Sequence, residues 1–148
     1  READKNNPDG YFELEDVKSI ASNQKFLQHA SGKAVKIVMP LLRLVNPVLP
    51  LKVIWMQRDL ASTLNSQSSM KGEENATASF KLLASLQREE ELMDAWLNQH
   101  PHVSYIKISY NETVNAPLKT AEKLRNFLGK EVNVAQMISA VKVNLKHF

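Results

Sequence analysis

The stretch Lys52-Val-Ile-Trp-Met-Gln-Arg58-Asp-Leu-Ala-Ser-Thr-Leu-Asn-Ser66 decides the fold, because an apolar run breaks there directly into polar residues. The run from Val53 to Met56 predicts a buried strand, and Asp59 is suited to cap a helix that follows it. Ligands in open α/β sheets bind at the carboxyl ends of the strands. Arg58 would offer a planar fork of donors to a phosphate or sulfate there, and the Ser66 hydroxyl, eight positions later, could complete the anion site.

Two further runs predict strands before and after this stretch. Ala34 to Met39 is a β-branched run bounded by a glycine and a proline, and Val103 to Ser109 is strand-like as well. Because strands that alternate with helices imply βαβ crossovers, we predict an α/β fold with three layers, a parallel sheet with flanking helices, as a single domain over residues 1–148. Apolar spacing and caps predict the helices around Leu14–Ile20, after Asp59, around Phe80–Asn98, around Leu118–Leu128 with Gly129 as C-cap, and from Asn133 onward.

The composition narrows the classes of function. With 43% hydrophobic and 24% charged residues, the 148-residue chain fits one globular domain that buries roughly two-thirds of the surface of the unfolded chain. The net charge of +3 is small and spread along the sequence, so we expect no nucleic-acid partner. Since the chain has no cysteine, disulfides, thiolate metal sites and a cysteine nucleophile are excluded.

The sequence also predicts neither a membrane partner nor a metal. The longest apolar stretches, around Val35–Met39 and Leu41–Trp55, are interrupted by charged residues and prolines, so no transmembrane helix fits. The default expectation for localisation is therefore cytoplasmic. His100 and His102 are close in sequence, but they lie in a predicted loop without a nearby acidic residue or cysteine, which is a weak metal signal.

Several short motifs follow one another in an order that identifies a family. They are Asn7-Pro-Asp-Gly-Tyr-Phe-Glu13, Lys36-Ile-Val-Met-Pro40, the block from Arg58 to Gln67, and Tyr110 followed by Pro117 and Phe127-Leu-Gly129. This set resembles the sulfotransferase superfamily, in particular bacterial sulfotransferase-like proteins, over nearly the whole chain. The resemblance implies a P-loop-type fold and transfer of a sulfuryl group from 3′-phosphoadenosine 5′-phosphosulfate to an acceptor hydroxyl or amine. It further implies that Arg58 and Ser66 hold the 3′-phosphate, as they would in adenosine 3′,5′-bisphosphate, and that Tyr110 lies beside the adenine.

The first departure from the family pattern is the phosphosulfate-binding loop. The family holds the 5′-phosphosulfate in a Gly-rich turn after its first strand, but the glycines here are widely scattered. We therefore expect the first strand and its loop to lie upstream or to have been lost, which makes this chain a C-terminal portion of the fold. The missing strand should leave unpaired sheet edges, filled by a missing N-terminal segment or covered in a homodimer or other homo-oligomer.

The second departure concerns the catalytic base. Val38 stands where cytosolic sulfotransferases carry a histidine, so Lys36 remains as the candidate catalytic residue that neutralises the transferring sulfuryl group. Lys36 is equally well explained as an amine that reaches solvent from a buried strand end. We expect the complete form to be a sulfotransferase with an unknown acceptor and this chain alone to be inactive. The alternatives are a non-catalytic remnant that binds anions or proteins and, more weakly, a P-loop transferase that uses ATP.

Overall fold

The computed structural model describes residues 10, 12–59, 63, 76–129 and 132–141. The chain divides into two compact units. The first holds the described residues up to Leu49 together with Ser85–Pro101, and the second holds those of Pro50–Ala84 and those from His102 onward. Among the helices of these described ranges, none is long and apolar enough to cross a membrane.

The first unit contains short helical segments and the C-terminal part of a long helix. Two 3-10 helices cover Glu15–Ser19 and Lys25–Ala30, and α1 covers Met39–Leu42. The helix predicted around Leu14–Ile20 is thus present as a 3-10 helix, a geometry common in short pieces. The long helix α2 covers Ala76–Gln99, which confirms the helix predicted around Phe80–Asn98. The buried apolar side chains of this unit are Val17, Ile20, Val45, Met93, Trp96 and Leu97.

Two polar contacts fix the loop that follows α1. The Arg43 guanidinium forms an ion pair with Glu89 of α2 at 2.6 Å, where both side chains are about a quarter exposed. The Gln24 side-chain amide donates to the Leu44 carbonyl oxygen at 2.7 Å and its oxygen accepts from the Asn46 backbone amide at 2.9 Å. Because backbone groups in a loop need partners, Gln24 satisfies one carbonyl and one amide of this loop.

The predicted strand from Ala34 to Met39 is wrong. Residues 34–38 form no strand, and α1 begins at Met39, with a proline in its first turn where the missing amide costs nothing. The backbone at Val38 is extended, with φ −72° and ψ 146°, and exposed and half-buried side chains alternate along the segment. At Val38 the backbone is therefore extended, as the β-branched pattern predicts. A strand also needs a hydrogen-bonded neighbour, and no described strand pairs with this segment.

The second unit contains a two-stranded parallel sheet. Strand β1 covers Lys52–Gln57 and β2 covers Ser104–Ser109, and the two pair in register from Lys52 with Ser104 to Gln57 with Ser109. Both strands were predicted from their apolar runs, and the intervening chain makes the crossover that a parallel pair requires. The structure confirms an α/β arrangement at this level, a parallel sheet with flanking helices, with two described strands instead of the three predicted.

In the part of the chain that the structure describes, three helices follow β2, and each begins or ends at a recognisable cap. Helix α3 covers Tyr110–Asn115, α4 covers Pro117–Leu128 and α5 covers Val134–Ser139. Gly129 ends α4 in the left-handed conformation at φ 63°, which confirms the predicted C-cap. The Asn133 side chain accepts from the Gln136 amide, so the helix predicted from Asn133 onward is confirmed and Asn133 is its N-cap.

Lys52, the first residue of β1, makes a long-range contact with the end of α4. Its ammonium donates to the carbonyl oxygens of Phe127 at 2.8 Å and Leu128 at 2.7 Å. Those carbonyls belong to the last turn of α4, where no helical amide remains to satisfy them and where a cation complements the helix dipole. The start of the sheet is therefore tied to the C-terminus of this helix.

Candidate functional site

The register of the sheet brings the chain segments after β1 and β2 to the same edge. The last paired residues are Gln57 and Ser109, and the two residues after one strand contact the two residues after the other. We call these four residues, Arg58, Asp59, Tyr110 and Asn111, the strand-end cluster. It lies at the carboxyl end of both parallel strands, the edge at which α/β folds place their ligands.

The first contact of the cluster joins Arg58 to Tyr110. The central carbon of the guanidinium lies 4.9 Å from the centroid of the Tyr110 ring, within the range of a cation–π interaction. Arg58 is half-buried, and its Nε is shut off from solvent without a hydrogen-bond partner among the described residues. The terminal amino groups of the guanidinium are thus the donors through which Arg58 could bind an anion.

The second contact joins Asp59 to Asn111. The Asn111 side-chain amide donates to the Asp59 carboxylate at 3.3 Å, and both side chains are exposed. The Thr63 backbone amide and hydroxyl both donate to the Asp59 carbonyl oxygen at 3.0 Å. Apart from Thr63, the helix predicted after Asp59 lies outside the described residues.

Tyr110 is held by the N-terminus of α3. The Ser109 hydroxyl accepts from the Glu112 backbone amide at 3.2 Å, and the Thr113 hydroxyl donates to the Ser109 carbonyl oxygen at 2.8 Å. Tyr110 is the first residue of this helix, so its backbone is fixed by the strand before it and by the helix that it begins. The ring is thus presented to Arg58 from a rigid corner of the chain.

Glu112 of the same helix is neutralised by two lysines of α4. Lys119 lies 2.7 Å from one carboxylate oxygen and Lys123 lies 2.9 Å from the other. Hydrogen bonds, from Lys119 first and then Lys123, lower the pKa of Glu112 from its ordinary value of 4.5 to about 2. The negative charge next to the strand-end cluster is therefore balanced by two positive charges.

The predicted site residues fall in different parts of the chain. Arg58 and Tyr110 are brought into contact, whereas Ser66 lies outside the described residues. Lys36 belongs to the first compact unit, where its ammonium forms an ion pair with Glu13 at 3.6 Å. Val38, at the position of the family histidine, is 50% exposed.

Sequence reasoning missed helix α3 and the hydrogen bond between Asp59 and Asn111. A usable signal for α3 was present, because Ser109 and Glu112 have the spacing of a capping box, which marks the start of a helix. The hydrogen bond from Asn111 to Asp59 depends on the register in which β1 and β2 pair. Each residue of the pair stands two positions beyond the last paired residue of its strand, which no local pattern reports.

In the part of the chain that the structure describes, no three histidine, aspartate or glutamate side chains group closely enough to hold a metal ion. Comparisons of the chain with protein-family models, curated proteins and solved structures found no match.

Proposed function

We propose that this chain is a sulfotransferase-like protein whose strand-end cluster binds the 3′-phosphate of 3′-phosphoadenosine 5′-phosphosulfate or of its product, adenosine 3′,5′-bisphosphate. The observation that carries the proposal is the half-buried Arg58 guanidinium, held on Tyr110 at the carboxyl edge of a parallel strand pair. An arginine at such an edge offers parallel donors that match two oxygens of a phosphate. The three-layer P-loop-type fold is part of the same proposal.

Each proposed residue has a distinct part in donor binding. Arg58 donates to the 3′-phosphate, and Ser66 adds a hydroxyl donor to the same group. Tyr110 contributes through its ring. The hydroxyl or amine of the acceptor is the nucleophile, and the role of Lys36 in neutralising the transferring sulfuryl group stays a prediction from the resemblance alone. Sulfuryl transfer in such a site depends on positioning and on anion stabilisation, and no covalent enzyme intermediate is needed.

The glycines are too widely scattered in the sequence for a Gly-rich phosphosulfate loop, so we expect nucleotide binding without efficient transfer. The cradle would position the reacting group, and its backbone amides would carry the developing charge. A chain that retains only the 3′-phosphate half of the donor site can bind the nucleotide through Arg58 but leaves the sulfuryl group unsupported.

A second candidate is a non-catalytic anion-binding or protein-interaction module. The observation that favours it is the state of the segment with Lys36 and Val38. That segment is not a strand, Lys36 is paired with Glu13, and the family's imidazole is replaced by a half-exposed valine. Both candidates share the anion site at Arg58. They differ in whether a sulfuryl group is transferred to an acceptor.

Calorimetric titration with adenosine 3′,5′-bisphosphate tests the shared site, with adenosine 5′-monophosphate as the ligand that lacks the 3′-phosphate. We expect the bisphosphate to bind more tightly. Arg58→Ala should weaken that binding by about 1.5–3 kcal/mol, the range for hydrogen bonds to charged groups. Arg88→Ala is the matched control, because Arg88 is a largely exposed arginine paired with Glu91 on α2. An unchanged affinity in Arg58→Ala would remove the assigned site.

A further inference from the structure

We infer that Tyr110 is a positioning residue that fixes the Arg58 guanidinium for the 3′-phosphate. This inference rests on the proposed function and assigns Tyr110 a role different from a platform for the adenine. Anion recognition would then belong to the Arg58–Tyr110 pair, and Arg58 without the ring would bind the same anion less well.

The first support is the way both residues are anchored. Arg58 directly follows the last paired residue of β1, and Tyr110 directly follows the last paired residue of β2. Tyr110 is additionally fixed by the Ser109 cap of α3. The guanidinium and the ring therefore meet from two backbones whose relative position is set by the sheet, and their 4.9 Å separation follows from that frame.

The second support is what the contact does to Arg58. A free arginine side chain samples many rotamers, and ordering it on a ligand costs conformational entropy. The Tyr110 ring restrains the guanidinium before an anion arrives, so less freedom is lost on binding. Because Nε is enclosed without a described partner, the pre-ordered end of the side chain consists of its two terminal amino groups. That pair of donors suits two oxygens of one phosphate.

The third support is the neighbouring hydrogen bond. Asn111 donates to the Asp59 carboxylate, so the two residues that follow Arg58 and Tyr110 are joined to each other as well. Two successive contacts across the strand ends limit rotation of one segment against the other. With the guanidinium at one face of the ring, Tyr110 acts on the anion through Arg58.

A double-mutant cycle on bisphosphate affinity tests the inference, with Tyr110→Leu to remove the ring, Tyr110→Phe to retain it, and Arg58→Ala alone and combined with Tyr110→Leu. We expect Tyr110→Phe to bind within about twofold of the unmodified protein. Tyr110→Leu should bind about two- to fivefold more weakly, as a cation–π contact supports. The double variant should be no weaker than Arg58→Ala, because the ring has nothing to position once the guanidinium is gone.

The outcomes separate this inference from the function on which it rests. Additive losses in the cycle, or equal losses for the bisphosphate and for adenosine 5′-monophosphate in Tyr110→Leu, would show direct contact of the ring with the nucleotide and overturn the inference alone. No bisphosphate binding by the unmodified protein would overturn both.

A measurement without ligand keeps the test decisive if Tyr110→Leu does not fold. The ring current of Tyr110 should shift the Arg58 δ-methylene proton resonances upfield in the unmodified protein and in Tyr110→Phe. Unshifted resonances in both proteins would overturn the inference.

Discussion

At position 111, the choice between an amide and a carboxylate decides the net charge of the strand-end cluster. The Asn111 amide nitrogen donates to Asp59, so an acidic group beside the proposed anion site has a neutral partner. A carboxylate at position 111 would remove this donor. In this geometry, a second carboxylate would face Asp59 directly, and like charges at such a distance disfavour ionisation of both groups.

We predict that Asn111→Asp weakens binding of adenosine 3′,5′-bisphosphate, because it adds a negative charge next to Arg58 and removes the donor to Asp59. The loss should be on the order of 1 kcal/mol, the upper end of the range measured for exposed charge pairs. Calorimetry of Asn111→Asp against Asn126→Asp measures it, since Asn126 is an exposed asparagine on α4 with the same charge change. Equal affinities for the two variants would contradict the prediction.

At the scale of helices and strands, local sequence patterns predicted the elements that depend mainly on contacts between residues close in sequence. Helix α2 followed from its apolar spacing, and the end of α4 from Gly129, because glycine adopts a left-handed backbone without strain. Strands β1 and β2 followed from their apolar runs. The segment from Ala34 to Met39 has the same local signal but no described neighbour to pair with, and pairing is a property of the fold.

The candidate site shows the same division between local and long-range information. Arg58 was found because an arginine after a strand has a recognisable local setting. The sequence could not show that Tyr110 would cover the guanidinium, because the two are brought together by the parallel register of β1 and β2. Helix α3, which fixes the ring, was missed although Ser109 and Glu112 mark its start.

Helices α3 and α4 are linked by an ion pair whose stability depends on pH. The pKa of Glu112 is about 2 in the folded chain against an ordinary value of 4.5, through hydrogen bonds from Lys119 and Lys123. A lowered folded-state pKa means that the stabilisation is complete above about pH 4.5 and is lost as the pH falls toward 2. Above that window, the contact holds the helix that carries Tyr110.

We predict that Glu112→Gln makes the free energy of unfolding depend less on pH under acidic conditions. The unmodified chain should lose more unfolding free energy between pH 4.5 and pH 2 than the variant, because only the former gains a proton at Glu112 on unfolding. Urea unfolding at a series of pH values measures the difference, with Glu122→Gln on α4 as an exposed control. Parallel curves for the unmodified chain and Glu112→Gln would refute the prediction.

At the scale of the whole molecule, the two-stranded sheet leaves apolar side chains partly exposed. Strands β1 and β2 pair only with each other among the described strands, so each has one edge without a described partner. On β1, Ile54 is 37% exposed and Met56 is 49% exposed. Parallel strands are ordinarily covered on both faces, and an open apolar edge is a template for pairing with another chain.

We predict that the chain self-associates at micromolar concentration and that Ile54→Lys weakens the association, because a charge on an edge strand opposes pairing. Sedimentation velocity over a concentration series gives the oligomeric state. Leu118→Lys is the control, since Leu118 is a 54% exposed leucine on helix α4 and not on a strand. A monodisperse, cooperatively unfolding monomer across the series would rule the prediction out.

The contact of Lys52 with the end of α4 fixes the register of strand β1. A one-residue slip of β1 would turn the Lys52 side chain to the opposite face of the sheet and strip the Phe127 and Leu128 carbonyls of their donor. Arg58 lies six residues further along, about 20 Å away at 3.3 Å per residue. The same slip would carry Arg58 off the Tyr110 ring. Lys52 at the start of β1 thus helps to keep Arg58, at the other end, in contact with the Tyr110 ring on which the proposed anion recognition depends.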